Sequence, residues 1–136
     1  ELTFEFRKIH QFVTFTTHTQ SQWAIADFLE NHPEHHQELP SFYEKKRDMF
    51  IKAIENIGFS VSPSSGTYFQ LAGYEELADV SDKEFVTALT KDGGVAAIPV
   101  SVFYEDPPKT KFIRFCFAKE DATILEAAEK LRAYFA

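Results

Sequence analysis

The chain has 136 residues, of which 44% are hydrophobic and 26% charged, a composition typical of a soluble globular protein of one or two domains. Its net charge of −7 argues against the basic face that nucleic-acid binding needs. It has no run of about 18 apolar residues, so we expect no transmembrane helix and no membrane partner. Its single cysteine, Cys116, excludes an intrachain disulfide and favours a reducing, cytoplasmic setting.

The first part of the chain is predicted to be helical. Over residues 2–15, apolar residues recur at helical spacing: Leu2, Phe6, Ile9 and Val13. A second helix is predicted to begin at a cap supplied by Thr19 or Ser21. Pro33 fits the first turn of a short helix that ends at Glu38.

A longer helix is predicted from Ser41 to Ile57, opened by Pro40 and followed by a C-terminal cap at Gly58. From there the apolar period changes to two, which predicts strands over residues 59–62 and 66–73 joined by a turn.

The last part of the chain is predicted to alternate between helices and strands. A helix begins at a capping box formed by Ser81 and Glu84. Strands are predicted over residues 95–100 and 111–118, and a helix over residues 119–136. The predicted order is helices first and then β, β, α, β, β, α. This order indicates an α/β or α+β module with three or four strands and helices on one face. Pro40 is the candidate boundary between the helical part and this module.

Several groups that could carry chemistry have simpler structural explanations. Three histidines lie at a spacing that can chelate a metal on a helix: His32, His35 and His36. No further ligand accompanies them, so we expect a solvated turn and no metal site. Gly93 and Gly94 follow a helix, which is the reverse of the order in a dinucleotide-binding turn. Cys116 lies among phenylalanines and is expected to be an inert core thiol.

One permanently charged side chain, Arg114, interrupts the last predicted strand, "KFIRFCFA". Because side chains alternate along a strand, Arg114 shares a face with Phe112 and Cys116, while Ile113 and Phe115 point the other way. An unpaired buried charge costs on the order of several kcal/mol. The local pattern leaves two interpretations open: an arginine that is solvated or salt-bridged, or a guanidinium that awaits an anion.

Six stretches, in order and at family-like spacing over nearly the whole chain, resemble class I and II aminotransferases, the pyridoxal 5′-phosphate (PLP) enzymes of fold type I. They are "RKIHQF", "TQSQWAIADFL", "FYEKKRDMF", "PSSGTYFQL", "GVAAIPVSVFY" and "IRFCFAKED". The resemblance is greatest to methionine and kynurenine aminotransferases and cysteine-S-conjugate β-lyases. It implies that residues 1–40 are the last helices of the large PLP-binding domain and that residues 41–136 form the small C-terminal domain.

The resemblance also implies site residues. The arginine of the "IRFCFAK" strand holds the substrate's α-carboxylate in this family, which assigns that role to Arg114. Phe15 and Thr16 would reach the substrate pocket of the neighbouring subunit in a homodimer, although simple helix packing also explains Phe15. Relatives can carry histidine at the position of Thr16.

The catalytic lysine of the family and most ligands of PLP would precede Glu1, and Lys8 belongs to the helix that follows that lysine. The chain alone is therefore expected to be inactive. The intact protein is expected to move an amino group between an amino acid (methionine, aromatic or kynurenine-like) and a 2-oxo acid. Two alternatives stay open: a non-catalytic module that binds amino or keto acids or associates with another chain, and β-lyase activity on the same scaffold.

Overall fold

The computed structural model describes every residue from 1 to 136. The chain forms five α-helices, one 3-10 helix and four short strands: α1 Leu2–Val13, α2 Thr19–Asn31, α3 His35–Ala53, β1 Ser60–Val61, β2 Phe69–Gly73, α4 Asp82–Lys91, β3 Ile98–Pro99, the 3-10 helix Val100–Phe103, β4 Phe112–Cys116 and α5 Asp121–Tyr134. They divide into two compact units, Glu1–Leu39 and Pro40–Ala136. None of the helices combines the length and the apolar character that crossing a bilayer requires.

The first unit contains α1 and α2, and both helices differ from prediction at one end. The hydroxyl of Thr14 donates to the backbone oxygen of His10 at 2.8 Å where α1 ends, which competes with a further helical turn. The predicted cap of α2 at Thr19 or Ser21 is wrong, because the N-cap residue is His18. Its Nδ1 lies 3.0 Å from the hydroxyl of Ser21.

The third helix, α3, begins at His35 and ends at Ala53, so the predicted boundaries are wrong at both ends. Pro40 lies inside the helix instead of opening it; its missing N–H removes one backbone hydrogen bond near the N-terminus, and the helix continues through it. After Ala53 the chain reverses through Asn56, with φ of 64°, and Gly58, with φ of 115°. Left-handed backbone at these two positions directs the chain towards β1.

The strands form one antiparallel sheet in the order β1-β2-β4-β3. At its centre β2 and β4 are paired along their length, with Leu71 opposite Arg114. The strand predicted over residues 95–100 shortens to the edge strand β3, because residues 94–97 adopt irregular backbone. Pro99 is tolerated in β3 because an edge strand can lack one backbone donor.

One face of the sheet carries the core of the second unit. Ala72, Ile113 and Phe115 are buried there, and the ring of Phe50 from α3 lies 5.4 Å from that of Phe115, centroid to centroid. Further buried side chains come from α4 and α5: Phe85, Val86, Leu89, Ile124, Ala128 and Leu131. The predicted α/β architecture, a small sheet with helices on one face, is confirmed.

The opposite face of the sheet is open. Leu71 is 49% exposed there, and Cys116 is also exposed, with Phe69 as its cross-strand neighbour. The prediction that this thiol lies in the core is therefore wrong. The reason is strand alternation, since Cys116 lies on the same face as Arg114 and not on the face of Phe115.

Candidate functional site

Arg114 lies near the middle of the open face of the sheet. Leu71 of β2 and Ile98 of β3 are its directly paired neighbours on the two sides. Because directly opposed residues in an antiparallel ladder point to the same face, these two apolar side chains flank the arginine. Both are partly exposed, at 49% and 41%. The guanidinium therefore emerges from an apolar surface and not from a charged one.

Two phenylalanine rings contact the guanidinium of Arg114, and we call them the aromatic pair. Its Cζ atom lies 4.0 Å from the ring centroid of Phe69, in β2, and 4.9 Å from that of Phe103, in the 3-10 helix. A planar guanidinium stacks well on aromatic faces, and such cation–π contacts are worth about 0.5–2 kcal/mol depending on solvent exposure. The aromatic pair restricts where the guanidinium can lie without consuming any of its N–H groups.

Arg114 has no acidic partner within the chain. The acidic side chains that form ion pairs do so with other cations, such as Lys46, Lys111 and Arg47. The Nε atom of Arg114 is sealed from solvent and has no hydrogen-bond partner. Buried donors are almost always paired, so a charged group with an unpaired buried N–H is unusual. Such an arrangement has the donors and the charge that a carboxylate would satisfy.

A buried carboxylate fixes the 3-10 helix that carries Phe103. Asp82, at the start of α4, is 6% exposed and accepts two hydrogen bonds of 2.7 Å from Ser101, one from the backbone N–H and one from the hydroxyl. Neither residue was predicted from sequence to serve the site. The only local signal was the position of Asp82 beside the Ser81 cap, and nothing in the sequence indicated a partner nineteen residues away.

A second set of contacts holds the loop that leads into β2. The amide of Gln70 donates to the backbone oxygen of Ser62 at 2.8 Å and accepts from the backbone N–H of Ser64 at 3.2 Å. Arg47 of α3 donates to the backbone oxygen of Ser64 at 3.0 Å. Gln70 is 1% exposed, so these contacts are shielded from water. They fix the entry to β2 one residue from Phe69.

The comparisons with known proteins identify the family. Residues 3–131 match the family model described as aminotransferase class I and II. The chain belongs to the class I and II aminotransferase family. The resemblance found in the sequence is thereby confirmed.

The chain is similar to methionine aminotransferase of Escherichia coli, with 48% identity over 128 residues that cover 94% of this chain and 33% of the relative. It is 30% identical over 149 residues to human kynurenine–oxoglutarate transaminase 1, covering 94% of this chain and 35% of the relative. The chain also superposes on the solved structure of an Escherichia coli protein that has a methionine aminotransferase function. The TM-score is 0.84 at 47% identity, over 93% of this chain and 33% of the other. The chain thus spans about a third of the length of the aminotransferases it matches.

The other residues predicted for an aminotransferase site lie in the first unit. Phe15 is 84% exposed and has a positive φ of 49°, and the hydroxyl of Thr16 donates to the backbone oxygen of Thr17 at 3.3 Å. Their exposure leaves them free to contact another chain, and their role in a substrate pocket stays a prediction.

The displaced pKa values in this aminotransferase segment have local structural causes. A hydrogen bond from the Lys111 ammonium lowers the pKa of Asp79, and one from the Ser81 hydroxyl lowers that of Glu84. Burial raises the pKa of Tyr74. None of these causes involves Arg114. The chemistry available at the open face is therefore electrostatic recognition by a fixed cation.

The histidine segment is solvent-exposed, as predicted. His32 lies 3.6 Å from the carboxylate of Glu34, and the ring of Phe28 lies 5.2 Å from that of His35. No group of three or more histidine, cysteine, aspartate or glutamate side chains has an arrangement that could hold a metal ion.

Proposed function

We propose that this chain is the C-terminal part of a PLP-dependent aminotransferase and that Arg114 binds the α-carboxylate of the amino acid or 2-oxo acid. In this proposal residues 1–40 belong to the large PLP-binding domain and residues 41–136 form the small domain. The observation that carries it is the guanidinium of Arg114, which contacts two rings and whose buried Nε–H has no hydrogen-bond partner.

The chemistry of the guanidinium explains the choice of ligand. Its planar fork donates two parallel hydrogen bonds to a carboxylate, and hydrogen bonds to charged groups are the strong ones. The apolar surroundings formed by Leu71 and Ile98 strengthen this interaction, because the local dielectric constant is lower than in water. Amines without a carboxylate gain nothing from Arg114, so amino and 2-oxo acids are the favoured substrates.

The apolar surface around Arg114 favours a substrate with an apolar side chain. Leu71, Ile98 and Phe103 are between 41% and 59% exposed, so a ligand held at Arg114 has apolar surface beside it. The names of the relatives, methionine and kynurenine aminotransferases, support the same choice. We propose methionine, aromatic or kynurenine-like amino acids as donors.

The cofactor is proposed to be held mainly by residues outside this chain. In this family PLP supplies the electron sink for the carbanion at the substrate's α-carbon, and a lysine acts as the general base that moves the proton of that carbon. Four lysines of this chain are held as ammonium groups in ion pairs: Lys8, Lys46, Lys111 and Lys130. We propose that the catalytic lysine and most PLP ligands lie outside residues 1–136, and we assign this chain no step through the cofactor.

The first unit is proposed to serve the shared active site of a homodimer. Phe15 is proposed to pack against the substrate side chain in the neighbouring subunit, with Thr16 beside it. The support for this is the resemblance and the exposure of the apolar residues of α1, such as Phe12, which is 78% exposed.

The test is an assay of the protein encoded by the complete reading frame that contains this chain. With PLP it is expected to transfer the amino group of methionine to a 2-oxo acid. Arg114→Lys is expected to lower kcat/KM by about a hundredfold, since hydrogen bonds to charged groups are worth about 1.5–3 kcal/mol. Arg132→Lys is the matched control, because Arg132 donates to the backbone oxygen of Ala53 and has no role in the proposal.

Two results would overturn the proposal. One is the absence of transamination by the complete protein, with binding of 2-oxo acids retained, which would favour the non-catalytic module. The other is an Arg114→Lys variant that behaves like Arg132→Lys. A parallel assay for pyruvate release from a cysteine conjugate measures β-lyase activity.

A further inference from the structure

The guanidinium of Arg114 depends on two separate elements for its position. Phe69 contacts it from β2, the neighbouring strand, and Phe103 contacts it from the 3-10 helix. Neither ring forms a hydrogen bond, so the rings can set the position of the guanidinium while its N–H groups stay available. A free arginine side chain has many rotamers, and ligand binding would otherwise have to overcome the entropy lost when one of them is fixed.

The ring of Phe103 cannot hold its place by burial, since Phe103 is 59% exposed. The 3-10 helix that carries it spans only residues 100–103 and contributes no buried side chain to the core. It is anchored to α4 by the pair of 2.7 Å hydrogen bonds from Ser101 to the buried carboxylate of Asp82. Because α4 contributes Phe85, Val86 and Leu89 to the core, Asp82 is attached to a rigid element.

We propose that Phe69, Phe103, Ser101 and Asp82 form a positioning device for Arg114. Asp82 and Ser101 fix the 3-10 helix, the 3-10 helix places the ring of Phe103, and the two rings hold the guanidinium ready for a carboxylate. The ligand part of this inference rests on the proposed function, whereas the positioning part concerns the chain without ligand. Pre-organising a charged group in this way raises affinity by lowering the ordering cost of binding.

The experiment uses the full chain, labelled with ¹⁵N, and follows the side-chain Nε–H signals of its arginines: Arg7, Arg47, Arg114 and Arg132. The signal of Arg114 is assigned by its loss in Arg114→Lys. We expect Phe69→Leu and Phe103→Leu each to shift this signal, because each removes a ring current, and Phe69→Tyr to leave it near its original position. Phe42→Leu is the matched control, since Phe42 is 49% exposed and contacts Lys46, not Arg114.

The role of Asp82 is tested by a double-variant cycle. Asp82→Asn is expected to shift the Arg114 signal in the same direction as Phe103→Leu, and to add nothing further when Phe103 is already leucine. A purely structural role would give additive shifts in both backgrounds. Phe103→Leu alters an exposed side chain and keeps the test available if a variant at buried Asp82 fails to fold.

Ligand binding is then measured by titration with the 2-oxo acid of methionine. Phe69→Leu is expected to weaken binding about fivefold, the effect of one cation–π contact, and Phe69→Tyr to restore it. If the leucine variants leave the Arg114 signal unchanged, or if Asp82→Asn and Phe103→Leu act additively, the positioning device is overturned. If the Arg114 signal of the unaltered chain does not shift with the 2-oxo acid, the proposed role of Arg114 in carboxylate binding fails. The spectra without ligand then still show whether Phe69, Phe103 and Asp82 position Arg114.

Discussion

Leu71 of β2 lies directly opposite Arg114 of β4, and the two side chains share the open face of the sheet. Leu71 is 49% exposed, so this position accepts a polar side chain without disturbing the core. Directly opposed residues in an antiparallel pair have Cβ atoms about 5 Å apart, which is within reach of an ion pair. The register therefore offers a way to supply Arg114 with an internal carboxylate.

Leu71→Glu is expected to weaken binding of the 2-oxo acid by about tenfold or more, because the new carboxylate competes for the guanidinium. Leu125→Glu is the matched control, since Leu125 is also 49% exposed but lies on α5. Titration of the full chain, followed by the Arg114 Nε–H signal, measures the effect. Equal affinities for the two variants would contradict the assignment of Arg114 as the carboxylate site.

The capping box of α4 predicts a change in acid stability. Hydrogen bonds from the Ser81 hydroxyl first, and from its backbone N–H second, lower the pKa of Glu84. A lowered folded-state pKa contributes stability above the unfolded value of about 4.3, and this stability is lost as the pH falls through the folded-state value. Ser81→Ala is expected to raise the pKa of Glu84 towards its ordinary value.

The same change removes the N-cap of α4, which typically costs about 1 kcal/mol of unfolding free energy. NMR titration of the Glu84 carboxyl and urea unfolding at neutral pH measure the two effects. Ser81→Thr keeps a hydroxyl that can both cap the helix and donate to Glu84, and it is the control. An unchanged pKa in Ser81→Ala would show that the hydroxyl does not set it.

The buried side chain of Tyr74 is expected to make the stability of the chain depend on pH in the alkaline range. Its side chain is fully buried, its hydroxyl donates to the backbone oxygen of Val80 at 3.1 Å, and burial raises its pKa. Stability from a raised pKa is present below the unfolded value of about 10 and is lost as the pH rises through the folded-state value. Tyr74→Phe is expected to cost about 1 kcal/mol at neutral pH and to weaken the alkaline loss of stability.

Urea unfolding at several pH values above neutral measures this effect. Tyr104→Phe is the control, since Tyr104 is 53% exposed. An alkaline unfolding profile that is the same in Tyr74→Phe and in the unaltered chain would refute the prediction.

Two leucines of α5 are expected to contribute very differently to the unfolding free energy of the second unit. Leu131 is fully buried, whereas Leu125 is 49% exposed. Leu131→Ala is expected to lower the unfolding free energy by about 2–5 kcal/mol, through lost burial and the cavity that remains. Leu125→Ala is expected to change it by about 0.5 kcal/mol or less. Urea unfolding of the two variants is the measurement, and similar losses in both would contradict the assigned core.

If the catalytic lysine lies outside this chain, as proposed, residues 1–136 should not react specifically with PLP. Residues 1–136 mixed with PLP are expected to show no aldimine absorbance band, because the lysine that binds the cofactor is proposed to lie outside them and several of their own lysines are engaged in ion pairs. Mass spectrometry after borohydride treatment is the measurement. A PLP adduct trapped at one specific lysine would refute the proposal that this lysine is absent.

The features predicted correctly from sequence depend on local rules. The capping box of Ser81 and Glu84 is present with both reciprocal hydrogen bonds, because its residues lie three apart on the chain. Alternation along β4 correctly separated Arg114 from Ile113 and Phe115. The same rule placed Cys116 on the face of Arg114, but its apolar neighbours in the sequence led to the wrong expectation that this face was buried at Cys116.

The features missed from sequence depend on contacts between distant residues. The two hydrogen bonds from Ser101 to Asp82, and the contact of Phe103 with Arg114, join elements whose register no local pattern specifies. The start of α3 was missed because Pro40 was interpreted as a helix opener, although a helix tolerates proline near its N-terminus. The site was thus predicted as one arginine, and its supporting residues came from the structure.

The most direct test of the carboxylate role is a binding titration of the full chain with the 2-oxo acid of methionine, followed at the Arg114 Nε–H signal. The account predicts a saturable shift of that signal in the unaltered chain, with no shift for methioninamide, which lacks the carboxylate. Saturable binding that survives Arg114→Lys undiminished, or an Arg114 signal that responds equally to methioninamide, would contradict it.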